Sequence, residues 1–100
     1  MTNTIIITRH QGLIDYILEK GIAPPGTPVI PHAGEEDVRG NRCIGPLPLR
    51  LAAIADSVVD IPLHLPPDMR GVELTKEQAA QYAGEPVEYF VGFATMADSL

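Results

Sequence analysis

Hydrophobic positions along the chain come in short blocks whose period changes from one block to the next. Ile5-Ile6-Ile7 is a β-branched run. It predicts a buried strand that enters at about Thr4 and leaves at about Thr8. After Arg9-His10-Gln11-Gly12, the residues Leu13, Ile14, Ile17 and Leu18 recur at helical spacing, with Asp15, Glu19 and Lys20 on the opposite face. That pattern is an amphipathic helix, stopped at Gly21. Ala23-Pro24-Pro25-Gly26 is a rigid turn, and Val29-Ile30 predicts a brief second strand. Pro31-His32-Ala33-Gly34 and an acidic loop carry the chain to Gly40.

A third strand is expected over Asn41 to Ile44, ending in Gly45-Pro46. Leu47, Leu51, Ile54, Ala55 and Val58 then fall on one helical face, with Pro48 suited to the first turn, where its missing N–H costs nothing. Val59 to Leu65 alternates and predicts a fourth strand, interrupted by Pro62, which argues for an edge or a strand end. Pro66-Pro67-Asp68-Met69-Arg70-Gly71 reads as a loop. Thr75 with Gln78 forms a capping box for a helix to Ala83, closed by Gly84, and Val87 to Val91 supplies a last strand. This order of strands and helices implies an α/β fold: a small Rossmann-like sheet, partly parallel, with helices packed on it in two or three layers. In such sheets ligands collect beyond the carboxyl ends of the strands.

Length turns that pattern into one domain. The chain has 100 residues, 45% of them hydrophobic and 20% charged, a globular composition. Residues 1–91 form the expected domain and residues 92–100, which carry no period, an expected frayed tail. No apolar run approaches the roughly 18 residues of a membrane span, and no basic residue precedes the first apolar run, so neither a membrane helix nor a signal peptide is expected. The lone Cys43 cannot form an intrachain disulfide, which fits a cytoplasmic protein. Cys43 sits in a predicted buried strand and reads as an inert core thiol. The formal charge of −6 argues against gripping long nucleic acid. A small anionic ligand in a local pocket is still compatible, because the global field is screened beyond about 8–10 Å.

Two strand-to-helix corners hold the candidate chemistry. At Thr8-Arg9-His10-Gln11-Gly12 a helix N-terminus would present free N–H groups beside a guanidinium, an imidazole and a hydroxyl. Gly12 would let a ligand approach the backbone. Ile44-Gly45-Pro46-Leu47-Pro48 repeats the placement, with Arg50 in the following helix. The same residues also fit a capped helix and ordinary turn chemistry. His32 and His64 lie near predicted strand ends, and with His10 they supply groups that titrate near working pH. The three histidines lie 22 and 32 residues apart, a spacing that matches no local metal motif, so no metal and no cofactor are expected. Arg70-Gly71 stands in a loop able to swing over a pocket.

Several of these segments together resemble a known family. They are Thr8-Arg9-His10 followed by Gly12, Cys43-Ile44-Gly45-Pro46-Leu47-Pro48 with Leu51-Ala52-Ala53, Leu63-His64-Leu65, and Arg70-Gly71 with Glu73-Leu74. Their order and spacing are similar to those of the small ancillary proteins of type III CRISPR systems, over roughly Ile5 to Val91. Pro46 stands where that family is expected to carry a small polar residue, and Arg50 where an uncharged polar one is expected. The resemblance implies a ring nuclease: a homodimeric RNA phosphodiesterase that binds and opens cyclic oligoadenylate, with cyclic tetra-adenylate the first choice. It implies metal-independent attack by the ligand's own 2′-OH, leaving 2′,3′-cyclic phosphate ends and switching off the antiviral signal. On that basis Arg9 and His10 are the catalytic candidates. Thr8, Gln11, Gly12, His32, Gly45, Pro46, Leu47, Arg50 and Arg70 are the ligand-binding ones. A non-catalytic sponge for the same messenger, or a plain interaction domain, are the alternatives.

Overall fold

A computed structural model describes residues 3–94 of the chain. The elements run β1 (Asn3–Ile6), α1 (Gln11–Glu19), α2 (Glu35–Val38), β2 (Asn41–Ile44), α3 (Leu49–Ile54), β3 (Ser57–Asp60), α4 (Lys76–Tyr82) and β4 (Val87–Tyr89). The four strands form one sheet in the order β1-β2-β3-β4. β1 pairs parallel with β2 and β2 with β3, whereas β4 runs antiparallel to β3. The α/β fold with a partly parallel sheet expected from the periodicity is therefore the fold observed.

Alternation along the strands sorts the core into two clusters. Ile6, Ile44 and Val59 pack with Leu13, Ile14, Tyr16 and Ile17 of α1 and Ala79 of α4. Ile5, Ile7, Cys43 and Val58 pack with Val38 of α2 and with Ala52 and Ala55 of the α3 region. The sheet is thus covered on both faces, a three-layer arrangement. Ile6, Ile17 and Ile44 are fully buried, each contributing roughly 1.5–3 kcal/mol of transfer free energy.

The first helix ends as its sequence predicts, with Gly21 at φ 71° just past its last residues. The capping box of α4 is complete: Thr75 Oγ1 accepts the Gln78 N–H at 3.1 Å, and Gln78 Oε1 accepts the Thr75 N–H at 3.0 Å.

Other expectations are corrected. Val29-Ile30 is not a strand but a single parallel bridge from Val29 to Ile6. Ile6 donates to Pro28 O and Ile30 donates to Ile6 O, each at 2.8 Å, and the ladder stops at Pro31, which has no N–H. The acidic loop contains the short helix α2. Asp37 accepts the Gly34 N–H at 2.7 Å, and Val38 is drawn into the core. The second predicted helix is shorter than its apolar period, because Pro48 is its N-cap and Ala55 its C-cap, and Val58 belongs to β3. The strand expected over Val59 to Leu65 starts earlier and ends at Asp60. Past Pro62, Leu63 makes only one bridge, to Ala83. The last strand stops at Tyr89. Of the expected tail, residues 92–94 form no regular element, and the rest lies outside the described residues.

The bridge at Val29 matters for the site. From β1 the chain passes to one side of that strand, and it returns on the other side as β2. The direction of winding therefore changes between β1 and β2, and a crevice is expected at their carboxyl ends.

Candidate functional site

The crevice at this switch point is built by locking two corners together. The Ile7 N–H donates to Ile44 O at 2.8 Å and the Gly45 N–H to Val59 O at 3.0 Å, so the ladder continues one residue past β1 and β2. Gly45 then turns at φ 137°, and a Cβ added there would sit 2.0 Å from Ile7 O. Only glycine allows the second corner to lie this close to the first. Beyond the contact opens a depression of about 250 Å³ lined by Ile7, Thr8, Arg9, His10, Pro31, His32 and Pro46.

The first corner is shaped by Thr8, whose buried Oγ1 accepts the His10 N–H at 3.2 Å. His10 is the N-cap of α1 with an extended backbone, and its side chain makes no capping bond. Leu13 and Ile14 both donate to His10 O. The Gln11 and Gly12 N–H groups are thereby left without an intrahelical partner. The freed imidazole approaches Glu73, with 3.6 Å between Nδ1 and Oε2, both side chains remaining at least half exposed.

Arg9 and His10 also line a second, adjoining depression of about 390 Å³. Its other walls are Leu13, Leu63, Leu65, Gly71, Val72, Glu73 and Leu74. The two residues thus line both depressions, the second of which also has leucine and valine side chains in its walls. A larger groove of about 480 Å³ lies between the end of α1 and Gly84-Glu85-Pro86. Its charged residues are Lys20 and Glu85, an opposed pair with no net pull on an anion.

Three of the five arginines are engaged with carboxylates. Arg39 and Arg50 both reach Glu35, and Arg42 reaches Glu88. Arg9 and Arg70 have no ion pair among the described residues, and both are exposed. Ser57 Oγ donates to the same Glu88 carboxylate at 2.6 Å. With the Arg42 guanidinium, this hydrogen bond holds that carboxyl below its ordinary value.

Of the predicted site residues, the structure brings Thr8, Arg9, His10, His32 and Pro46 to one crevice, with Gly45 as the pivot behind it. Leu47 packs against the second core cluster, and Arg50 is spent on Glu35. Gln11 bonds Asp15 at 2.8 Å, and with Gly12 it faces a different groove, toward Glu73 to Glu77. The expectation that Gly12 admits a ligand is corrected. A Cβ there would meet Leu74 O at 2.1 Å, so protein backbone already occupies that approach. Arg70 lies in the loop just before Gly71 and lines neither depression. Glu73, Leu63, Leu65 and Leu74 went unassigned in the sequence, although their segments stood among the motifs.

Burial pushes the Cys43 thiol up to about 11, with a further push from Asp56, as expected for a core cysteine. Among the described residues no group of three or more His, Cys, Asp and Glu side chains forms a potential metal site. Nor is any helix among them long and apolar enough to cross a membrane.

Comparison with known proteins gives one match. The model of a family described as "Putative CRISPR-associated protein (Cas_VVA1548)" covers residues 5–92. No curated protein and no solved structure compared with the chain matches it.

Proposed function

The chain belongs to this CRISPR-associated family, and from that premise we propose that it is a ring nuclease of type III systems, which binds cyclic oligoadenylate and opens it. Support comes from the switch-point crevice, where Arg9, which has no ion pair among the described residues, and His10 stand beside a hollow walled in part by leucine and valine. A cyclic oligoadenylate offers two things in one piece: a phosphodiester and an adenine. The phosphodiester suits the Arg9 guanidinium. The adenine suits the walls made by Leu13, Leu63, Leu65, Val72 and Leu74.

Every linkage of such a ring carries its own nucleophile in the adjacent 2′-OH. The O2′–P bond forms, the P–O5′ bond breaks, the 2′-OH proton leaves and the 5′-oxygen gains one. Products are a 2′,3′-cyclic phosphate and a 5′-hydroxyl. Alignment of the attacking oxygen contributes up to about 7–11 kcal/mol in favourable cases. Arg9 would offset the charge that gathers on the phosphoryl oxygens, and His10 would move a proton. A depression of about 250 Å³ holds one linkage rather than a whole ring. Pairing of two chains would present the same crevice twice to a ligand with internal rotational symmetry.

The test is product analysis after incubation with cyclic tri-, tetra- and hexa-adenylate in the presence of a chelator. Linear products with 2′,3′-cyclic phosphate ends are expected, from the tetra-adenylate first. Recovery of intact ring from heat-denatured protein would make the chain a sponge. Absence of both binding and cleavage would leave an interaction domain.

A further inference from the structure

In-line displacement places the attacking 2′-oxygen and the departing 5′-oxygen on opposite sides of phosphorus. A proton must leave one side as another arrives on the opposite side, so a single imidazole is poorly placed for both transfers. Two histidines line the crevice. His10 comes from the corner between β1 and α1, and His32 from the loop that follows the Val29 bridge. They are 22 positions apart in sequence, yet both line the same depression of about 250 Å³, which Arg9 also lines.

The third histidine is placed differently. His64 is held at its backbone by Tyr82 O, its ring stands against Gly84, and it lines neither depression. Among the described residues no carboxylate lines the crevice itself, since Glu73 reaches only the second hollow. His10 and His32 therefore supply the two imidazoles of that lining, a group that both donates and accepts a proton.

We propose that His32 is a second catalytic residue: His10 and His32 act on opposite sides of the scissile phosphorus, one accepting the 2′-OH proton and the other protonating the 5′-oxygen. This rests on the ring-nuclease reading above. The proton taken from O2′ stays on the accepting imidazole, and the other imidazole gives up its own to O5′. One turnover thus leaves both in the inverse protonation state, which exchange with water resets. No metal, oxidant or co-reactant enters the balance.

The experiment compares wild type with His10→Ala, His32→Ala and, as a control, His64→Ala, on cyclic tetra-adenylate under single-turnover conditions, with binding measured separately. His10→Ala and His32→Ala are each expected to slow cleavage by about 10²–10⁴-fold. His32→Ala is expected to retain ring affinity within a few-fold, and His64→Ala to cleave at the wild-type rate. A second substrate assigns the sides: cyclic tetra-adenylate whose bridging 5′-oxygens are replaced by sulfur, a leaving group that departs without a proton. It is expected to restore the rate of one of the two histidine variants and not the other.

Cleavage by His32→Ala at the wild-type rate would overturn the proposal while leaving the ring-nuclease reading intact. Rescue of both variants or of neither by the sulfur substrate would do the same. A wild-type protein that cleaves no cyclic adenylate would remove both.

Discussion

Gly45→Ala puts the geometry of the crevice under direct strain, and its cost can be worked from two features of the structure. The first is conformational. Position 45 sits at φ 137°, where an L side chain costs roughly 1–3 kcal/mol. The second is steric. A methyl group there would lie 2.0 Å from Ile7 O, against about 3.4 Å for an ordinary contact, and the obstacle is backbone rather than a flexible side chain. Relief requires the end of β1 to move away from the second corner, and crowding of this kind costs typically 1–3 kcal/mol.

Together these give about 2–6 kcal/mol, a large part of the 5–15 kcal/mol that holds a domain folded. For a chain of this size the Tm should fall by on the order of 10–25 °C. Gly21→Ala is the matched control. It has φ 71° and no atom within 4 Å of the added carbon, so only the backbone cost of about 1 kcal/mol remains. Both variants share the loss of unfolded-state freedom, which cancels in their difference. The assay is calorimetric melting of the three proteins side by side. If Gly45→Ala melts no lower than Gly21→Ala, the two corners are not locked by that contact and the account of the crevice fails.

Three further outcomes are expected. Arg9→Ala should weaken binding of cyclic tetra-adenylate by about 1.5–3 kcal/mol, some 10- to 150-fold, whereas Arg50→Ala, whose guanidinium is engaged with Glu35, should change it less than about two-fold; titration calorimetry distinguishes them. The Glu88 carboxyl is held down by Ser57 and Arg42, so its contribution is present above the ordinary glutamate value of 4.5 and is lost as the pH falls through the lower folded value. The stability gap between wild type and Glu88→Gln, read from denaturant midpoints, should shrink as the solution is acidified below that value; a gap that widens there contradicts the assigned network. Thr75→Ala should cost about 1 kcal/mol through the lost cap of α4, seen as a drop of several degrees in Tm, and a melt indistinguishable from wild type would show that the capping box contributes nothing.

The elements most legible in the sequence are those specified by their own residues. The period of Leu13, Ile14, Ile17 and Leu18 and the box of Thr75 with Gln78 place α1 and α4 without reference to the rest of the chain. The misread segments depend on distant partners. Val29 forms one bridge because Pro28 and Pro31 flank a strand-like pair, and Val58 leaves the helical face because Cys43 claims it for the sheet. The acidic run becomes α2 because Val38 finds a core to enter. The site follows the same division. Thr8, Arg9 and His10 are neighbours in sequence and stay together. Their convergence with His32 and Pro46 is a product of the winding reversal, which no local pattern records. Gly12 does permit a close backbone approach, but Leu74 rather than a ligand takes it.

Cys43 lies at the middle of the sheet, between β1 and β3, and is the only cysteine in the chain. A thiol reagent can reach it only when the central strand is uncovered, so the protein carries its own stopwatch for sheet breathing and needs no engineered probe. The speed of labelling, compared with that of an unfolded peptide, reports how often the middle of the molecule opens. Any compound that settles between the two corners should slow that clock in proportion to how firmly it is held.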